Sequence, residues 1–469
     1  MTRRHTPCHT PDVQADRRSN LFCVRPAGCA AGRRRWGVWV MAEIGTVIVG
    51  AGHAGLAVSR LLTAAGHEHV VLERGRVGER WRSERWDSLH LVTPSWMTRL
   101  PGYRYQGADP DGYLSATAFA DLLDGYAASF AAPVLGSVTV QEVSPANDGS
   151  DHRYRVVTDA GVWRAQHIVI AAGPYGVPWV PDTIQARGLG SVEMVSAQRY
   201  RNPAQLAPGG VLVVGASASG VQIADELARA GRSVVVAVGR HTRLPRRYRG
   251  MDIFWWLDST GRLARTVDQV RDVTAARREP SLQLVGRAGA RPLNLAVLQA
   301  HGVRLAGRLE RIREGRAWFR DDLAESVAAA ERRMHRVLDA ADAHAAWAGL
   351  DAEIAPARRP AAVPVPKTPV GLDLRAEGIG TVLLATGYRP HYPWLRLPIT
   401  GPDGSIQQYR GVTAAPGVYT VGQRFQHRRD SAFIDGARHD AAAVVQHLLH
   451  QAGEARGLDD LGLMAAIWR

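Results

Sequence analysis

The chain has 469 residues, 46% of them hydrophobic, and a formal net charge of +14. This length exceeds what one hydrophobic core usually supports, which excludes a single small binding module and predicts at least two domains. All but one of the 58 basic residues are arginines, and the basic runs lack interleaved aromatics or a zinc-finger spacing, so the charge does not predict a nucleic-acid partner.

The first 40 residues carry eight arginines and only two aspartates, a pattern that predicts a disordered basic extension over 1–40. All three cysteines, Cys8, Cys23 and Cys29, lie in this segment. The remainder of the chain therefore offers no disulfide framework and no cysteine pair for electron transfer. No segment approaches 18 uninterrupted apolar residues, so we expect no integral membrane segment and a cytoplasmic location.

A first glycine-rich turn, Gly50-Ala-Gly-His-Ala-Gly55, follows a hydrophobic strand predicted at 46–49. It opens a helix that we expect to end at Gly66, before a second strand at 69–72. In such a turn the first glycine permits tight geometry, the second lets a pyrophosphate approach the backbone, and the third lets helix and strand pack closely. The pattern predicts a βαβ unit with a dinucleotide phosphate on the helix N-terminus.

A second glycine-rich turn, Gly215-Ala-Ser-Ala-Ser-Gly220, repeats this order. A strand is predicted before it at 211–214, a helix over 220–230 with Gly231 as its stop, and a strand at 233–238. Two such turns, each between a strand and a helix, predict two bound dinucleotides in one chain. Two dinucleotides in turn indicate a redox relay.

The residue at the end of each second strand distinguishes the two nucleotides. Glu73 would accept hydrogen bonds from a ribose diol and repel a 2′-phosphate, which favours FAD or NAD in the first unit. Arg240 ends the second strand of the second unit and favours NADPH there. The basic residues expected to extend this cationic cluster are His241, Arg243, Arg246 and Arg247.

Two further hydrophobic runs, 167–172 and 381–385, each end in a glycine turn, which is typical of segments that cross between stacked domains. Five prolines in 356–369 predict an extended return linker. The predicted fold class is α/β, with two Rossmann-type dinucleotide-binding domains of three layers (ββα or βαβ). The predicted domains are an FAD-binding domain in two parts, 41–205 and 366–469, and an NADPH-binding domain, 206–365, inserted between them.

The inserted part is the hardest to interpret. Apolar residues recur at helical spacing from Leu323 to Leu338, and Asp322 with Glu325 is expected to cap this helix. The arginines opposite are predicted to form a solvated face. Phe254-Trp-Trp256 is expected to form a buried domain contact, and substrate specificity is expected to lie in 251–345.

These motifs resemble a known family, the class B flavoprotein monooxygenases, whose single chains bind FAD and NADPH in two stacked Rossmann-type domains. Besides the glycine turns, the likeness rests on Gly78-Glu-Arg-Trp-Arg82, on Trp86-Asp-Ser-Leu-His-Leu-Val-Thr-Pro94 and on Ala385-Thr-Gly-Tyr388. The resemblance implies that NADPH reduces FAD and that the reduced flavin captures O₂ as a flavin hydroperoxide. This species would then oxygenate a nitrogen, sulfur or carbon atom of a small organic substrate.

The resemblance also places Trp81 and Arg82 beside the FAD diphosphate and ring. A helix beginning near Asp435 could direct its positive end at the flavin, or Asp435 could be a plain N-cap. The predicted cofactor-binding residues are Gly50, Gly52, His53, Ala54, Gly55, Glu73, Arg74, Trp81, Arg82, His90, Thr93, Gly173, Gly215, Ser217, Ala218, Ser219, Gly220, Arg240, Thr386, Gly387, Tyr388 and Gly422. The candidate catalytic residues are Ser196, Gln423, Trp96 and His90.

One departure from the family pattern keeps alternatives open. Counting back from Tyr200 places Ser196 where the family signature has histidine and Val192 where it has glycine. An NADPH oxidase or flavin reductase without oxygen insertion is therefore a second hypothesis. A flavin-binding regulatory subunit is a third, against which the intact second turn and Arg240 argue. We expect no metal site, a small organic substrate with O₂ as partners, and a monomer or homodimer.

Overall fold

Two parallel β-sheets form the framework, and each carries helices on one face and antiparallel strands on the other. The computed structural model describes residues 41–147, 152–184, 189–287, 289 and 291–453. The predicted basic extension, 1–40, lies outside the described residues, as does 454–469.

In chain order the strands are β1 Met41–Val49, β2 His69–Leu72, β3 Arg99–Leu100, β4 Tyr103–Arg104, β5 Val134–Leu135, β6 Val140–Pro145, β7 Tyr154–Thr158, β8 Gly161–Ile170, β9 Val177–Pro178, β10 Glu193–Ser196, β11 Gly210–Val214, β12 Val234–Ala237, β13 Thr242–Arg243, β14 Arg247–Tyr248, β15 Met251–Asp252, β16 Leu282–Gln283, β17 Arg304–Ala306, β18 Leu309–Arg313, β19 Arg316–Phe319, β20 Gly371–Asp373, β21 Ile379–Leu384, β22 Tyr388–Arg389, β23 Gln408–Tyr409, β24 Val412–Thr413 and β25 Val418–Thr420. The α-helices are α1 His53–Ala65, α2 Glu79–Ser83, α3 Ala116–Ser129, α4 Ala218–Arg229, α5 Ile253–Ser259, α6 Val273–Arg277, α7 Leu295–Ala300, α8 Leu323–Trp347 and α9 Ile434–Gln451.

The first sheet has the strand order β23-β24-β25-β8-β1-β2-β5, and β7 and β6 extend it from β8. Its centre is parallel, because β1 pairs with β2 and β8, β2 with β5, and β25 with β8. Helices α1, α3 and α9 pack on one face through buried side chains that include Leu56, Phe119 and Leu448. The antiparallel strands β6 and β7 cover the other face with Val143 and Val156.

The second sheet has the order β10-β21-β11-β12-β17, with every pair parallel. Helices α4 and α7 pack on one face through Leu227 and Leu298. The antiparallel strands β18, β19 and β20 cover the other face through Ile312 and Phe319. Both sheets are therefore three-layer Rossmann-type units, and the predicted α/β fold class is confirmed.

The helix ends follow the glycines that the sequence singled out. Gly66 takes φ 71° after α1, and Gly231 takes φ 78° shortly after α4, a backbone conformation that favours glycine. The helix α8 covers the predicted apolar repeat, but the predicted capping pair is wrong. The side chain of Asp322 makes no cap and instead accepts a hydrogen bond of 2.9 Å from the backbone N–H of Arg308.

Strand pairing divides the chain differently from the predicted domain boundaries. Strand β10 falls in the predicted segment 41–205 and β21 in 366–469, yet both pair in the second sheet. A hydrophobic run predicts a buried strand without indicating its sheet, because that depends on pairing with residues distant in sequence. The chain thus passes between the sheets after β8 and again after β21, and the two passages pair through β9 and β22.

A further apolar cluster lies where α5 meets α8. Phe254 and Trp256 are fully buried there, together with Met97 and Met334, so the predicted buried contact is confirmed for these two aromatics. Within the described ranges, no helix combines the length and the apolar character needed to cross a bilayer. The described side chains also contain no group of three or more His, Cys, Asp or Glu arranged to hold a metal ion.

Candidate functional site

The first glycine turn forms a backbone cradle between β1 and α1. Gly50 takes φ 111°, and a Cβ there would lie 2.8 Å from the carbonyl oxygen of Ala171. A Cβ on Gly55 would overlap the carbonyl oxygen of Gly50, whereas a Cβ on Gly52 would meet nothing within 4 Å. Gly52 is also the N-cap of α1 and provides no side-chain cap, so the first helical N–H groups face this open space. The first cradle, residues 50–55, therefore has room for a phosphate group.

Glu73 ends β2 beside the first cradle, as the sequence predicts for a ribose-binding acid. Its carboxylate accepts hydrogen bonds of 2.8 Å from the N–H of Ala51 and 3.1 Å from the N–H of Gly75. A carboxylate has about four acceptor positions, so two remain for a ligand. Arg74, which follows Glu73, forms an ion pair with Glu84 at the surface.

The two arginines of α2, Arg80 and Arg82, contact different parts of the protein. Arg82 forms ion pairs with Asp121 and Asp124 of α3, which commits its guanidinium to that helix. Arg80 instead reaches the end of β8, where it donates hydrogen bonds to the carbonyl oxygens of Ala172, at 3.5 Å, and Tyr175. Sequence reasoning missed Arg80, although it stands in the same short motif as Arg82.

Two residues of the first helical turn connect this cradle to the rest of the site. The Nε2 atom of His53 is buried and has no hydrogen-bond partner within the described part of the chain. Burial lowers the pKa of His53 to about 4, so the ring is neutral. Ala54 packs against the turn at Gly422, where a Cβ would lie 3.0 Å from the Ala54 Cβ.

The segment 86–98, which resembles the stretch along the flavin ring, is held mainly by backbone hydrogen bonds. His90 forms a bridge with Ser115, and its Nδ1 lies 3.1 Å from the carbonyl oxygen of Ser88. Ser95 donates a hydrogen bond of 2.9 Å from its hydroxyl to the carbonyl oxygen of Gly112. Thr93 is nearly fully buried. These hydrogen bonds explain the conformation of the segment. The cofactor contacts of His90 and Thr93 stay predictions.

The far end of this segment meets the first turn of α9. The guanidinium of Arg99 stacks over Trp96 at 5.8 Å and pairs through two bonds of 2.7 Å with Asp435. Helix α9 begins at Ile434 after an N-cap residue, Phe433, that makes no side-chain cap. The alternative interpretation of Asp435 as N-cap is therefore wrong, because Asp435 lies inside the first turn as an ion-pair partner.

Gln423 belongs to a polar network at the first passage between the sheets. Its Nε2 donates hydrogen bonds of 3.1 Å to the hydroxyls of Tyr392 and Thr420. The Tyr392 hydroxyl in turn donates a bond of 2.9 Å to the carbonyl oxygen of Gly173. Burial raises the pKa of Tyr392 to about 12, which keeps this donor protonated. The network fixes Gln423 in place, and sequence reasoning missed Tyr392 because no local motif marks it.

The second glycine turn reproduces the first. Gly215 takes φ 110°, and a Cβ there would lie 2.6 Å from the carbonyl oxygen of Ala385. A Cβ on Gly220 would overlap the carbonyl oxygen of Gly215. Ser217 is the N-cap of α4 without a side-chain cap, so the N–H groups of Ala218 and Ser219 in the first turn are free of a capping side chain. We call residues 215–220 the second cradle.

The predicted residues that follow β21 lie at the second passage between the sheets. The Thr386 hydroxyl donates a hydrogen bond to the carbonyl oxygen of Trp179, and Tyr388 packs edge-on against Tyr175. Gly387 takes φ 95°, where a Cβ would meet nothing within 4 Å. The second passage thus has an open glycine, Gly387, next to bonded neighbours.

Comparison with known proteins agrees with this pair of cradles. Residues 47–259, which contain both, match the family model described as pyridine nucleotide-disulphide oxidoreductase. An uncharacterized oxidoreductase, CzcO-like, from Geobacillus kaustophilus is 28% identical over 410 residues, which cover 87% of this chain and 99% of that protein. Indole-3-pyruvate monooxygenase YUCCA1 from Oryza sativa subsp. japonica is 34% identical over 214 residues, which cover 45% of this chain and 52% of that protein.

A solved structure extends the likeness to the whole fold. The flavin-containing monooxygenase from Stenotrophomonas maltophilia superimposes with a TM-score of 0.59 at 20% identity and covers 88% of this chain and 99% of its own. The chain therefore shares the fold of that protein and is similar in sequence to other oxidoreductases. All three cysteines lie in 1–40, so residues 41–469 contain no cysteine pair. This part of the oxidoreductase therefore lacks the disulphide for which the matching family is described.

The cationic cluster expected around Arg240 is smaller than the sequence indicated. Arg240 lies exposed after β12, and its Nη2 lies 3.5 Å from the carbonyl oxygen of Arg278. Arg243 and Arg246 are buried and neutralised, the first by Glu331 and the second by Asp252. The prediction that these two serve a 2′-phosphate is wrong, because each is an internal ion-pair partner.

Ser196 ends β10 in the second sheet of the oxidoreductase. Its hydroxyl oxygen is buried and has no hydrogen-bond partner among the described residues. Its backbone carbonyl accepts bonds from the N–H groups of Arg199 and Tyr200, which close a turn. A buried hydroxyl without a partner is unusual, and its catalytic role stays a prediction.

Proposed function

We propose that this oxidoreductase is an NADPH-dependent flavoprotein monooxygenase that oxygenates a nitrogen, sulfur or carbon atom of a small organic substrate. The observation that carries the proposal is the pair of cradles, each at the carboxyl end of a separate parallel sheet. The first cradle has open space at Gly52, and the second has a helix N-terminus without a side-chain cap at Ser217. Two dinucleotides on two sheets are what transfer of a hydride between cofactors requires. The cofactors are FAD and NADPH.

The residues present fit these cofactors. The open space at Gly52 and the carboxylate of Glu73 suit the diphosphate and ribose of FAD. The second cradle and the exposed Arg240 suit NADPH. When bound, reduced FAD supplies the electrons and the site for activating O₂.

The chain itself positions and shields the reacting groups. The network of Tyr392, Gln423 and Thr420 holds the loop between β25 and α9 against the first passage. The uncapped N-terminus of α9 contributes a positive dipole end, partly offset by Asp435, which in turn is paired with Arg99. The buried segment at Thr93 and Ser95 limits access of water.

The direct test measures stoichiometry with the purified, flavin-loaded chain. NADPH and O₂ consumption, product and hydrogen peroxide are followed together while a panel of a tertiary amine, a thioether and indole-3-pyruvate is supplied. Indole-3-pyruvate is included because the relative from Oryza sativa is named as a monooxygenase of this compound. A monooxygenase gives product equal to NADPH consumed with at least one class of substrate, and little peroxide.

The second hypothesis, an NADPH oxidase or flavin reductase, is favoured by the serine that stands at 196 where the family signature has histidine. Peroxide equal to NADPH consumed with every substrate would support it and contradict oxygen insertion. Failure of NADPH to bleach the flavin without O₂ would contradict both hypotheses and favour a regulatory subunit. The small-molecule substrate, a monomer or homodimer, and a cytoplasmic location stay predictions from the sequence, as do the domain boundaries.

A further inference from the structure

We propose that Arg333 of α8 joins Arg240 to form the binding site for the 2′-phosphate of NADPH. The inference rests on the proposed function and deepens it, because the sequence assigned Arg240 and the basic residues that follow it, and treated the arginines of α8 as a solvated face. The ligand class is a phosphate monoester on an adenosine ribose.

Helix α8 is docked onto the segment that follows β12. The buried guanidinium of Arg243 pairs with Glu331 of α8 and donates a bond of 2.7 Å to the carbonyl oxygen of Ala361. Two residues further along α8, the Nη2 of Arg333 donates a hydrogen bond to the carbonyl oxygen of His241. Since His241 directly follows Arg240, the helix brings a second guanidinium to the strand end.

The strand end is where this fold places the adenosine ribose. In a dinucleotide-binding βαβ unit, the residue that ends the second strand contacts the 2′ position of the ribose. Glu73 directly follows β2 in the first unit, and in the second unit Arg240 lies three residues beyond Ala237, the last residue of β12. In that arrangement Arg333 would lie near the 2′ position of the ribose, which distinguishes NADPH from NADH.

Neither guanidinium has a counter-charge of its own. In the described part of the chain, no carboxylate oxygen lies within 4.0 Å of Arg240 or Arg333, whereas Arg243 and Arg246 each have one. The hydrogen bond of Arg240 is long, at 3.5 Å, and the Nε of Arg333 is buried without a partner. Two adjacent positive charges without an acid are costly unless an anion joins them.

Nearby acids are already engaged. Glu331 pairs with Arg243, and Glu279, whose negative charge favours protonated Arg333, pairs with Arg429. Burial and the charge of Arg240 lower the pKa of Arg333, with Arg336 and Arg332 adding to the repulsion. A phosphate monoester carries up to two negative charges and three acceptor oxygens, which match two planar guanidinium groups.

The experiment measures binding of 2′,5′-ADP and of 5′-AMP to the full chain by calorimetry. These probes differ by the 2′-phosphate alone and need no turnover. Arg333→Ala and Arg240→Ala are each expected to weaken 2′,5′-ADP about tenfold or more, which is the size of a lost charge-assisted contact, and to change 5′-AMP less than about twofold. Arg333→Lys, which keeps the charge without the planar fork, is expected to fall between.

Arg332→Ala is the matched control, because Arg332 is an exposed neighbour on the same helix and its removal lowers the charge equally. It is expected to change the affinity for 2′,5′-ADP less than about threefold. Full 2′,5′-ADP affinity in Arg333→Ala, with loss in Arg240→Ala, would overturn the inference and leave the proposed function intact. Equal losses for both probes in Arg333→Ala would also overturn it, as a general disturbance of the fold. A wild-type chain that binds both probes equally would instead contradict the NADPH assignment itself.

Discussion

At Gly52 and Gly55 the lack of a side chain serves two different purposes, although the residues are three positions apart. A Cβ on Gly55 would overlap the backbone of Gly50, whereas a Cβ on Gly52 would enter open space. Gly52 leaves room for the proposed ligand, whereas Gly55 is required by the protein's own backbone. Sequence alone predicted both positions, since the spacing of the motif is local, but the division of roles depends on Ala171 and Gly50 coming close.

The substitution Gly52→Ala is therefore expected to leave the flavin-free chain nearly as stable as wild type. Its backbone, at φ −79°, already suits alanine. FAD affinity should fall at least about tenfold because the methyl group occupies the path of the pyrophosphate. Urea unfolding of the flavin-free chain and fluorescence titration with FAD measure the two effects.

Gly55→Ala is the matched comparison. It should destabilise the flavin-free chain by about 2 kcal/mol or more, through overlap with the Gly50 carbonyl. Equal unfolding free energies for the two variants would contradict this division of roles.

Asp440 is a fully buried carboxyl inside α9. Burial raises the pKa of Asp440 to about 7, the carboxylate of Asp430 adds to the rise, and Ser431 and Arg428 oppose it. The folded state then binds one more proton than the unfolded state between about pH 4 and pH 7. The stability from this group is fully present below pH 4 and is lost as the pH rises toward 7.

Asp440→Asn should remove that loss. The difference in unfolding free energy between variant and wild type is expected to grow in favour of the variant by on the order of 3 kcal/mol from pH 4.5 to pH 8. Urea midpoints at several pH values measure it. Asp321→Asn, at an exposed position, is the control and should show no such trend. A constant difference across the range would contradict the raised pKa.

At the scale of single elements, periodicity predicted the position of α8 well, but it did not predict which distant segments the side chains of α8 contact. The apolar repeat from Leu323 to Leu338 gave the helix because spacing of 3.6 residues is visible within one segment. The bond from Arg308 to Asp322 and the place of Arg333 depend on strands and turns far away in sequence. The same reason explains why Arg82 was placed at the flavin when its partners lie on α3.

An ion pair joins β3 to α9 next to the apolar cluster that contains Leu100. Asp435 is buried and pairs with Arg99 of β3 and Arg438 of its own helix. Arg99→Ala is expected to cost about 2 kcal/mol of unfolding free energy, less than for an isolated buried pair because Arg438 remains. Arg99→Ala combined with Asp435→Asn should cost less than the sum of the single changes. Chemical denaturation of the four proteins forms the cycle, and strict additivity would show that the pair contributes nothing.

At the scale of the whole molecule, neither sheet is built from one continuous stretch of chain. The first sheet takes strands from 41–170 and 408–420, and the second takes strands from 193–306 and 379–384. The sequence predicted the two Rossmann-type units and their passages, because short hydrophobic runs with glycine turns are local signals. The pairing of β10 and β21 in the second sheet was not visible in the sequence, because pairing between distant strands leaves no local signal.

This interleaving predicts how the protein unfolds. To open either sheet, the chain must release both passages, the β9–β22 pair between them, and the bonds from Arg80 to Ala172 and Tyr175. The described residues between 41 and 453 also belong to one compact unit. We therefore expect a single calorimetric transition for both sheets.

The two cofactors test this expectation. FAD at 100 times its dissociation constant adds about 2.7 kcal/mol to the unfolding free energy, which for a core of this length raises the midpoint temperature of unfolding by about 3 °C. NADP⁺ should move the same transition, although it binds the other sheet. Two separate transitions, with FAD moving one and NADP⁺ the other, would show that the sheets unfold independently and that the passages do not couple them.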